Sequence, residues 1–159
     1  MYLPLQTVRQ LLEIHYDRRY RLYDYLGQLS AEELDRDLKV GWKSIRNLLL
    51  HSIEAEEFWV QHGIQKGARP DFDFDRYADL ESIRNLSEEV RSRTEAFIFG
   101  LTDGEMARPC EIAFSSGTRV EFSVSKAILH FITHDWHHRG QVLALTRQMG
   151  YTPPDLDLI

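Results

Sequence analysis

Four of the seven histidines in this 159-residue chain fall within nine residues: His130, His134, His137 and His138. Imidazole nitrogens bind divalent transition metals and exchange protons near neutral pH, so such a group can support metal or acid–base chemistry. Cys110 is the single cysteine, which excludes an intrachain disulfide and any zinc finger built from several thiolates. A metal site in this chain must therefore be made from imidazole and carboxylate.

Helical spacing divides these four histidines into two pairs. The apolar stripe of a helix predicted over residues 123–149 advances by three or four residues, and His134 and His138 occupy two positions in its middle. Imidazoles one turn apart, and about 40° apart around the axis, can reach one ion. His130 and His137 lie beside the stripe, where we expect flanking groups. His130 is also a candidate hydrogen-bond partner for a ligand.

Two histidines hold a metal poorly, so the pair requires a third ligand from another helix. His51, at the margin of the apolar face of the second long helix, is the leading candidate, and His15 on the first helix competes with it. Three neutral histidines with an open fourth position are typical of a catalytic divalent metal, with zinc first and nickel or iron(II) as alternatives. The competing interpretation is a metal-free bundle whose core histidines are hydrogen bonded internally.

Two neighbours of the pair are candidates for catalysis. His134 to His138 match the metalloprotease pattern H-E-x-x-H only with Asp135 in place of glutamate, and Asp is one methylene shorter. We therefore interpret Asp135 as an acid that supports a ligand or lies on the helix face, and only secondarily as a general base. Gln141 follows His138 by nearly one turn and can hydrogen-bond near the metal.

The elements that must position these residues are mostly helical. Apolar residues recur at helical spacing over four long segments, residues 5–29, 44–61, 79–101 and 123–149. A capping box at Ser30 and Glu33 predicts a short helix over residues 31–38. These segments predict an all-α protein with a single four-helix-bundle domain over residues 1–159.

One segment before the last helix departs from helical spacing. Residues 110–114 and 118–122 are typical of two short strands around a turn at Ser115, Ser116 and Gly117. We therefore expect a small hairpin there.

Composition limits the class of protein and its partners. Apolar residues make up 43% of the chain and charged residues 28%, as in globular proteins that fill a core. The formal charge of −6 argues against a nucleic acid or an anionic membrane as partner. The longest apolar runs are far shorter than the ~20 residues of a membrane span, and no targeting segment is visible. We expect a cytoplasmic protein.

His51 in the context Ser-Ile-Arg-x-Leu-Leu-Leu-His, followed two helices later by H-x-x-x-H-R-G-Q at residues 134–141, resembles the DinB/YfiT-like superfamily. The resemblance covers nearly the whole chain. It implies a down-up-up-down four-helix bundle, commonly a homodimer, with His51, His134 and His138 as metal ligands. Characterised relatives are metal-dependent transferases that conjugate low-molecular-weight thiols such as bacillithiol or mycothiol, together with a mycothiol-using isomerase.

The leading hypothesis is a metal-dependent enzyme that transfers a small-molecule thiol to an electrophile. The alternatives are a hydrolase that uses a metal-bound hydroxide, and a non-catalytic metal-binding stress-response protein. Tyr16 and Arg19 are candidates to face the cavity and orient an anionic thiol, although a surface position for the Arg19 side chain is the preferred interpretation. Exposed aromatics such as Trp42 and Tyr77 are candidates for a dimer interface.

Overall fold

The computed structural model describes residues 2–39, 41–114 and 116–157. In these residues the chain forms, in order, α1 (Leu5–Leu26), α2 (Ala31–Asp35), α3 (Ile45–Glu57), α4 (Leu80–Phe99), α5 (Asp103–Met106), β1 (Pro109–Ala113), β2 (Arg119–Ser123) and α6 (Val124–Gln148). The four long helices are those that the apolar spacing predicts. Of the helices described, none combines the length and the apolar character that crossing a membrane requires.

The helix ends follow from local hydrogen bonding. The hydroxyls of Ser44 and Ser123 accept the N–H groups of Asn47 and Lys126, which fixes the starts of α3 and α6. The predicted capping box at Ser30 is present, but α2 ends at Asp35 and not at residue 38, because Arg36 leaves the helical backbone conformation with ψ 127°.

The end of α3 differs from the predicted helix. The predicted helix ends at residue 61, whereas the chain passes from α3 into a wider π-helical segment, Phe58–Ile64. There the N–H of Gln65 donates to the carbonyl of Val60, five residues earlier. Periodicity over so short a segment does not distinguish π-helical from α-helical turns.

The long helices form a four-helix bundle with down-up-up-down directions. Helices α1 and α3 each pack against both α4 and α6, so α1 and α3 occupy opposite corners. Helices α3 and α4 are parallel. Arg46, near the start of α3, donates to the carbonyls of Phe74 and Tyr77, just before α4 begins. Glu57, at the end of α3, pairs with Arg93 in the second half of α4. The long connection between α3 and α4 permits this parallel run.

The core consists of two apolar clusters at opposite ends of the bundle. One contains the first half of α1 with the first half of α6, from Val8 and Leu12 to Phe131 and Ile132. The other contains the last turns of α1 with α3 and the second half of α6. Polar side chains lie buried between the two clusters, at the level of residues 15–19 of α1 and 134–139 of α6.

Strands β1 and β2 form the expected antiparallel hairpin before α6. Cys110 lies opposite Phe122, and both are buried against the first apolar cluster together with Ile112. Gly117 adopts φ +82°, which favours glycine in the turn. Ser115, which the sequence also predicts in this turn, lies outside the described residues.

Candidate metal centre

Three histidines from two antiparallel helices converge at mid-height of the bundle. His51 projects from α3, and His134 and His138 project from consecutive turns of α6. One nitrogen from each ring lies within 4.8 Å of the other two. We call these three residues the histidine cluster. His51 and His134 are half-buried and His138 is buried, so the cluster lies at the edge of the core.

The spacing of the ring nitrogens fits a shared ion. Nε2 of His134 lies 3.3 Å from Nε2 of His138. Two imidazoles bound to one tetrahedral Zn²⁺ at about 2.0–2.1 Å each are separated by about 3.3 Å. Nδ1 of His51 and Nδ1 of His134 are buried and lack a hydrogen-bond partner within the described part of the chain. Three imidazoles that each bring one nitrogen to a common point are what a divalent metal site offers.

The cluster is also electrostatically suited to a cation. Burial, and then the neighbouring imidazoles, lower the pKa of His51 from 6.5 to about 4. Burial and the proximity of His138 lower the pKa of His134 to about 4 as well. Both rings are therefore neutral at neutral pH, and neutral imidazole is the form that binds a metal.

Gln141 fixes the orientation of one ring of the histidine cluster. Nδ1 of His138 lies 2.7 Å from Oε1 of Gln141, and an amide oxygen only accepts, so Nδ1 carries the proton. That tautomer leaves the Nε2 lone pair free to face His134. Metal-binding histidines ordinarily have such a partner on the other nitrogen. Gln141, a sequence candidate for catalysis, therefore contacts His138 of the histidine cluster directly.

Trp42 covers another of the rings. The indole stacks on His51 with 3.8 Å between ring centroids and 20° between planes. Of its surface 38% remains exposed. In the sequence, Trp42 is a candidate only for a dimer interface. No pattern of residue types places it here, because the loop reaches this position through Lys39 and Lys43, which adopt positive φ angles of 60° and 68°.

A cavity of about 430 Å³ opens beside the histidine cluster. His138 and Gln141 form part of its wall, and Trp42 forms another part. The remaining lining residues are Gly41, Leu48, Ala144, Leu145 and Gln148. Among these described lining residues there is no carboxylate, lysine or arginine.

The two flanking histidines of α6 lie outside the cluster, as their spacing predicts. His130 packs edge-to-face on Trp59 with ring centroids 4.7 Å apart, and its centroid lies 5.9 Å from that of His134. Burial, together with Lys126, lowers the pKa of His130. His137 is exposed to solvent.

A second polar group lies directly behind the histidine cluster and is closed to solvent. It consists of His15 and Arg19 of α1, Glu56 of α3, and Asp135 and Arg139 of α6. We call these five residues the ion cluster. Asp135 accepts hydrogen bonds from Arg139 at 2.7 Å and from Arg19 at 3.3 Å, and Arg19 also donates to Glu56 at 2.7 Å.

The ion cluster corrects several sequence expectations. Arg19 is 1% exposed, so it is not a surface residue, and neither it nor Tyr16, whose hydroxyl donates to Glu56 at 2.7 Å, faces the cavity. Asp135 is ion-paired inside the core and does not lie on an open helix face. His15 accepts a hydrogen bond from Arg139 at 2.8 Å and does not join the histidine cluster.

Charges balance within the ion cluster. Burial alone would raise the pKa of Glu56, but the Arg19 guanidinium beside it outweighs burial and brings the pKa to about 2. Burial likewise opposes ionisation of Asp135, yet Arg19 and Arg139 hold the pKa of that carboxyl well below its usual range. Burial, with Arg19, lowers the pKa of His15 to about 4. At neutral pH two carboxylates therefore neutralise two guanidinium groups around a neutral imidazole.

The sequence carries a weak signal for this cluster. Arg19 lies three residues after Tyr16 and four before Tyr23, and therefore falls on the apolar stripe of α1. Asp135 and Arg139 are four residues apart, which is the spacing of an ion pair along a helix.

Comparisons with known proteins agree with this fold. The sequence profile of the DinB family matches residues 1–159. The chain is 25% identical over 150 residues to uncharacterized protein YizA of Bacillus subtilis (strain 168), covering 94% of this chain and 92% of YizA. It is 21% identical over 153 residues to protein DinB of the same organism, covering 93% and 89%.

Among solved structures, the chain is similar to YfiT from Bacillus subtilis, with a TM-score of 0.65 and 16% identity. The match covers 92% of this chain and 90% of YfiT. YfiT is described as a probable metal-dependent hydrolase with an unusual four-helix bundle topology. At this identity the likeness concerns the fold.

Proposed function

The chain belongs to the DinB family, and on that premise we propose that it is a metal-dependent enzyme that transfers a low-molecular-weight thiol to an electrophile. The observation that carries the proposal is the histidine cluster: three converging imidazoles beside a cavity. Structural metal sites are ordinarily closed by four protein ligands, whereas catalytic sites keep a position open.

His51, His134 and His138 would hold the ion. Because imidazole ligands bring no negative charge, the ion would keep its full charge, which favours an anionic fourth ligand such as a thiolate. A divalent ion bound there supplies a Lewis acid that lowers the pKa of a coordinated thiol or water. Zinc is the first candidate, with nickel and iron(II) as alternatives.

The protein's own residues orient and shield this centre. Gln141 holds the His138 ring with Nε2 directed at the cluster, and Trp42 excludes water from one face of His51. In the transfer, the thiol S–H bond breaks and its proton leaves to solvent. A carbon–sulfur bond then forms as the leaving group departs from the electrophile with its electron pair.

Hydrolysis is the second candidate, and the description of YfiT as a probable metal-dependent hydrolase favours it. Hydrolysis of an ester or amide gains from a general base or acid near the attacked carbonyl. The described lining of the cavity offers no carboxylate, and Asp135 is paired inside the ion cluster. A thiolate needs no such base, so the site supports thiol transfer better.

A turnover screen tests the proposal. Protein purified without a histidine tag is loaded with Zn²⁺, Ni²⁺ or Fe²⁺ and supplied with bacillithiol, mycothiol, glutathione or cysteine, with monochlorobimane as electrophile. We expect metal-dependent formation of one thiol–bimane adduct, lost in His134→Ala and kept in His137→Ala. His137 is the matched control, because it is an exposed histidine of the same helix outside the cluster.

Two outcomes would overturn the proposal. Metal-dependent hydrolysis of p-nitrophenyl acetate that requires His134, without adduct formation from any thiol, would favour the hydrolase. Stoichiometric metal binding with neither activity would favour a non-catalytic metal protein.

A further inference from the structure

The cavity beside His138 has a chemical character that restricts its ligand. Leu48 and Leu145 are buried in its floor, and the Ala144 methyl and the Trp42 indole add apolar surface. Its polar groups are the imidazole of His138 and the side-chain amides of Gln141 and Gln148. A charged group placed here would lose hydration without finding an opposite charge among the described lining residues.

A second hollow on the bundle shows the contrast. Between α1 and α4, a hollow of about 450 Å³ is lined by Arg84, Glu88, Arg91 and Glu95. Charged residues therefore line one hollow and are missing from the described wall of the other.

Resting on the proposed metal site, we propose that this cavity binds an uncharged apolar group of the electrophilic substrate, about the size of a benzyl or hexyl group. At about 430 Å³ the cavity falls within the size range of small-molecule pockets, so such a group fits inside it. His138 belongs to both the histidine cluster and the cavity wall, so a molecule seated here would present its reactive end to the metal centre.

Trp42 links the two parts of the site and would determine specificity. One face of its indole stacks on His51, and the same side chain forms part of the cavity wall. Two backbone hydrogen bonds hold its loop, from Leu38 N–H to the Lys43 carbonyl at 2.7 Å and from Ser44 N–H to the Trp42 carbonyl at 2.8 Å. A substrate that fills the cavity would therefore contact an indole already packed on a ligand imidazole.

Hydroxamates test this without turnover, since the hydroxamate group binds zinc and the remainder reports on the cavity. Binding of acetohydroxamate, benzohydroxamate and succinic monohydroxamate to the zinc-loaded protein is measured by calorimetry. We expect benzohydroxamate to bind at least tenfold more tightly than acetohydroxamate, because its ring buries apolar surface. The negatively charged succinic analogue should show no such gain.

Two matched variants test whether the higher affinity for benzohydroxamate than for acetohydroxamate, called the gain below, arises in the cavity. Ala144→Leu fills the cavity from an exposed position of α6, and Ala96→Leu makes the same change at an exposed position of α4 away from it. We expect the benzohydroxamate gain to fall below threefold in Ala144→Leu and to stay unchanged in Ala96→Leu. Trp42→Ala, which removes part of the wall without adding bulk, should also lose most of the gain.

The outcomes separate this inference from the proposed function. An equal benzohydroxamate gain in wild type, Ala144→Leu and Trp42→Ala would overturn the cavity assignment, while acetohydroxamate binding would still support the metal centre. A larger gain for the succinic analogue would overturn the assignment of an uncharged ligand. Failure of the wild type to bind zinc and acetohydroxamate would overturn both.

Discussion

The histidine cluster and the ion cluster share one helix but differ in how completely their polar groups are paired. His134 and His138 are four residues apart on α6, and so are Asp135 and Arg139, one position further along. In the first pair, Nδ1 of His134 has no partner among the described residues, whereas the second pair forms hydrogen bonds and ion pairs with α1. A polar group that is paired internally supports the fold, and one that is left unpaired at a cavity offers a place for a ligand.

The two clusters also differ in their charge. The ion cluster is neutral as a whole because its two carboxylates offset its two guanidinium groups. The histidine cluster has no carboxylate among its three members and would become charged only by taking up a proton or a metal. The stability of the metal-free protein should therefore depend on intact pairing in the ion cluster. Changes at the histidine cluster should affect stability only when a metal is bound.

Asp135→Asn should cause the largest effect, because it leaves two buried arginines with one carboxylate. Breaking a buried ion pair from one side costs about 3–5 kcal/mol. We expect a loss of that size in the free energy of unfolding, measured with urea on metal-free protein. His134→Ala under the same conditions should change it by less than about 1 kcal/mol, since that ring is half-buried with an unpaired nitrogen. Equal losses in the two variants would contradict the assigned roles.

Zinc should stabilise the protein through the histidine cluster alone. A ligand that binds only the folded state at 100 times its Kd adds about 2.7 kcal/mol to the free energy of unfolding. We expect added Zn²⁺ to raise the Tm of wild type and of His137→Ala, and to leave the Tm of His134→Ala unchanged. A chelator should reverse the rise. An equal rise in His134→Ala would place the metal elsewhere.

Acid should destabilise the ion cluster through His15. Its pKa is about 4 in the folded state and 6.5 when exposed, so the unfolded chain binds the proton more readily between these values. Stability from the neutral ring is complete above pH 6.5 and is lost as the pH falls toward 4. Between pH 7 and 4.5 this amounts to about 2 kcal/mol. In chelator, His15→Gln should lose that much less stability than wild type over this range, by urea unfolding at each pH. Identical losses would show that His15 does not titrate this way.

Gln141→Leu should have the smallest effect, confined to the histidine cluster. Loss of the acceptor frees the His138 ring to rotate, and removing such a partner lowers metal affinity about 10–100-fold. Zinc affinity is measured by competition with a chromophoric chelator. Gln141→Glu, which keeps an acceptor oxygen, should retain the zinc affinity of the wild type. An unchanged zinc affinity in Gln141→Leu would show that Gln141 does not orient His138 for metal binding.

Most of the histidine cluster can be predicted from the sequence, because two of its residues follow the helical spacing of an apolar stripe. His134 and His138 replace apolar residues in a stripe of three- and four-residue spacings, and two such imidazoles require a partner. The spacing left His15 and His51 as competitors for the third position, and the family resemblance selected His51. The structure places His51 there because α3 neighbours α6 in the bundle.

The ion cluster and the Trp42 contact were not accessible in this way. Arginine is ordinarily a surface residue, so the position of Arg19 on the apolar stripe of α1 is outweighed by its type. Its partners Glu56 and Asp135 come from two other helices, α3 and α6, whose arrangement depends on tertiary packing. Trp42 reaches His51 through a loop in which lysines adopt a left-handed backbone, which residue type does not indicate.

Asp135 and Arg139 lie one residue after His134 and His138 on α6, so the two pairs rotate together when the helix turns about its axis. An imidazole nitrogen lies about 6 Å from the helix axis, so a rotation of about 10° moves it by about 1 Å. Metal–ligand distances tolerate only about 0.2 Å. The buried face of α6 is broad, from Ile128 through Val142. Hydrophobic burial is non-directional, so by itself it does not fix the rotation of a helix to this precision. The hydrogen bonds of Asp135 and Arg139 with α1 are directional, so they fix the rotation of α6 about its axis. They thereby also fix the direction in which His134 and His138 project.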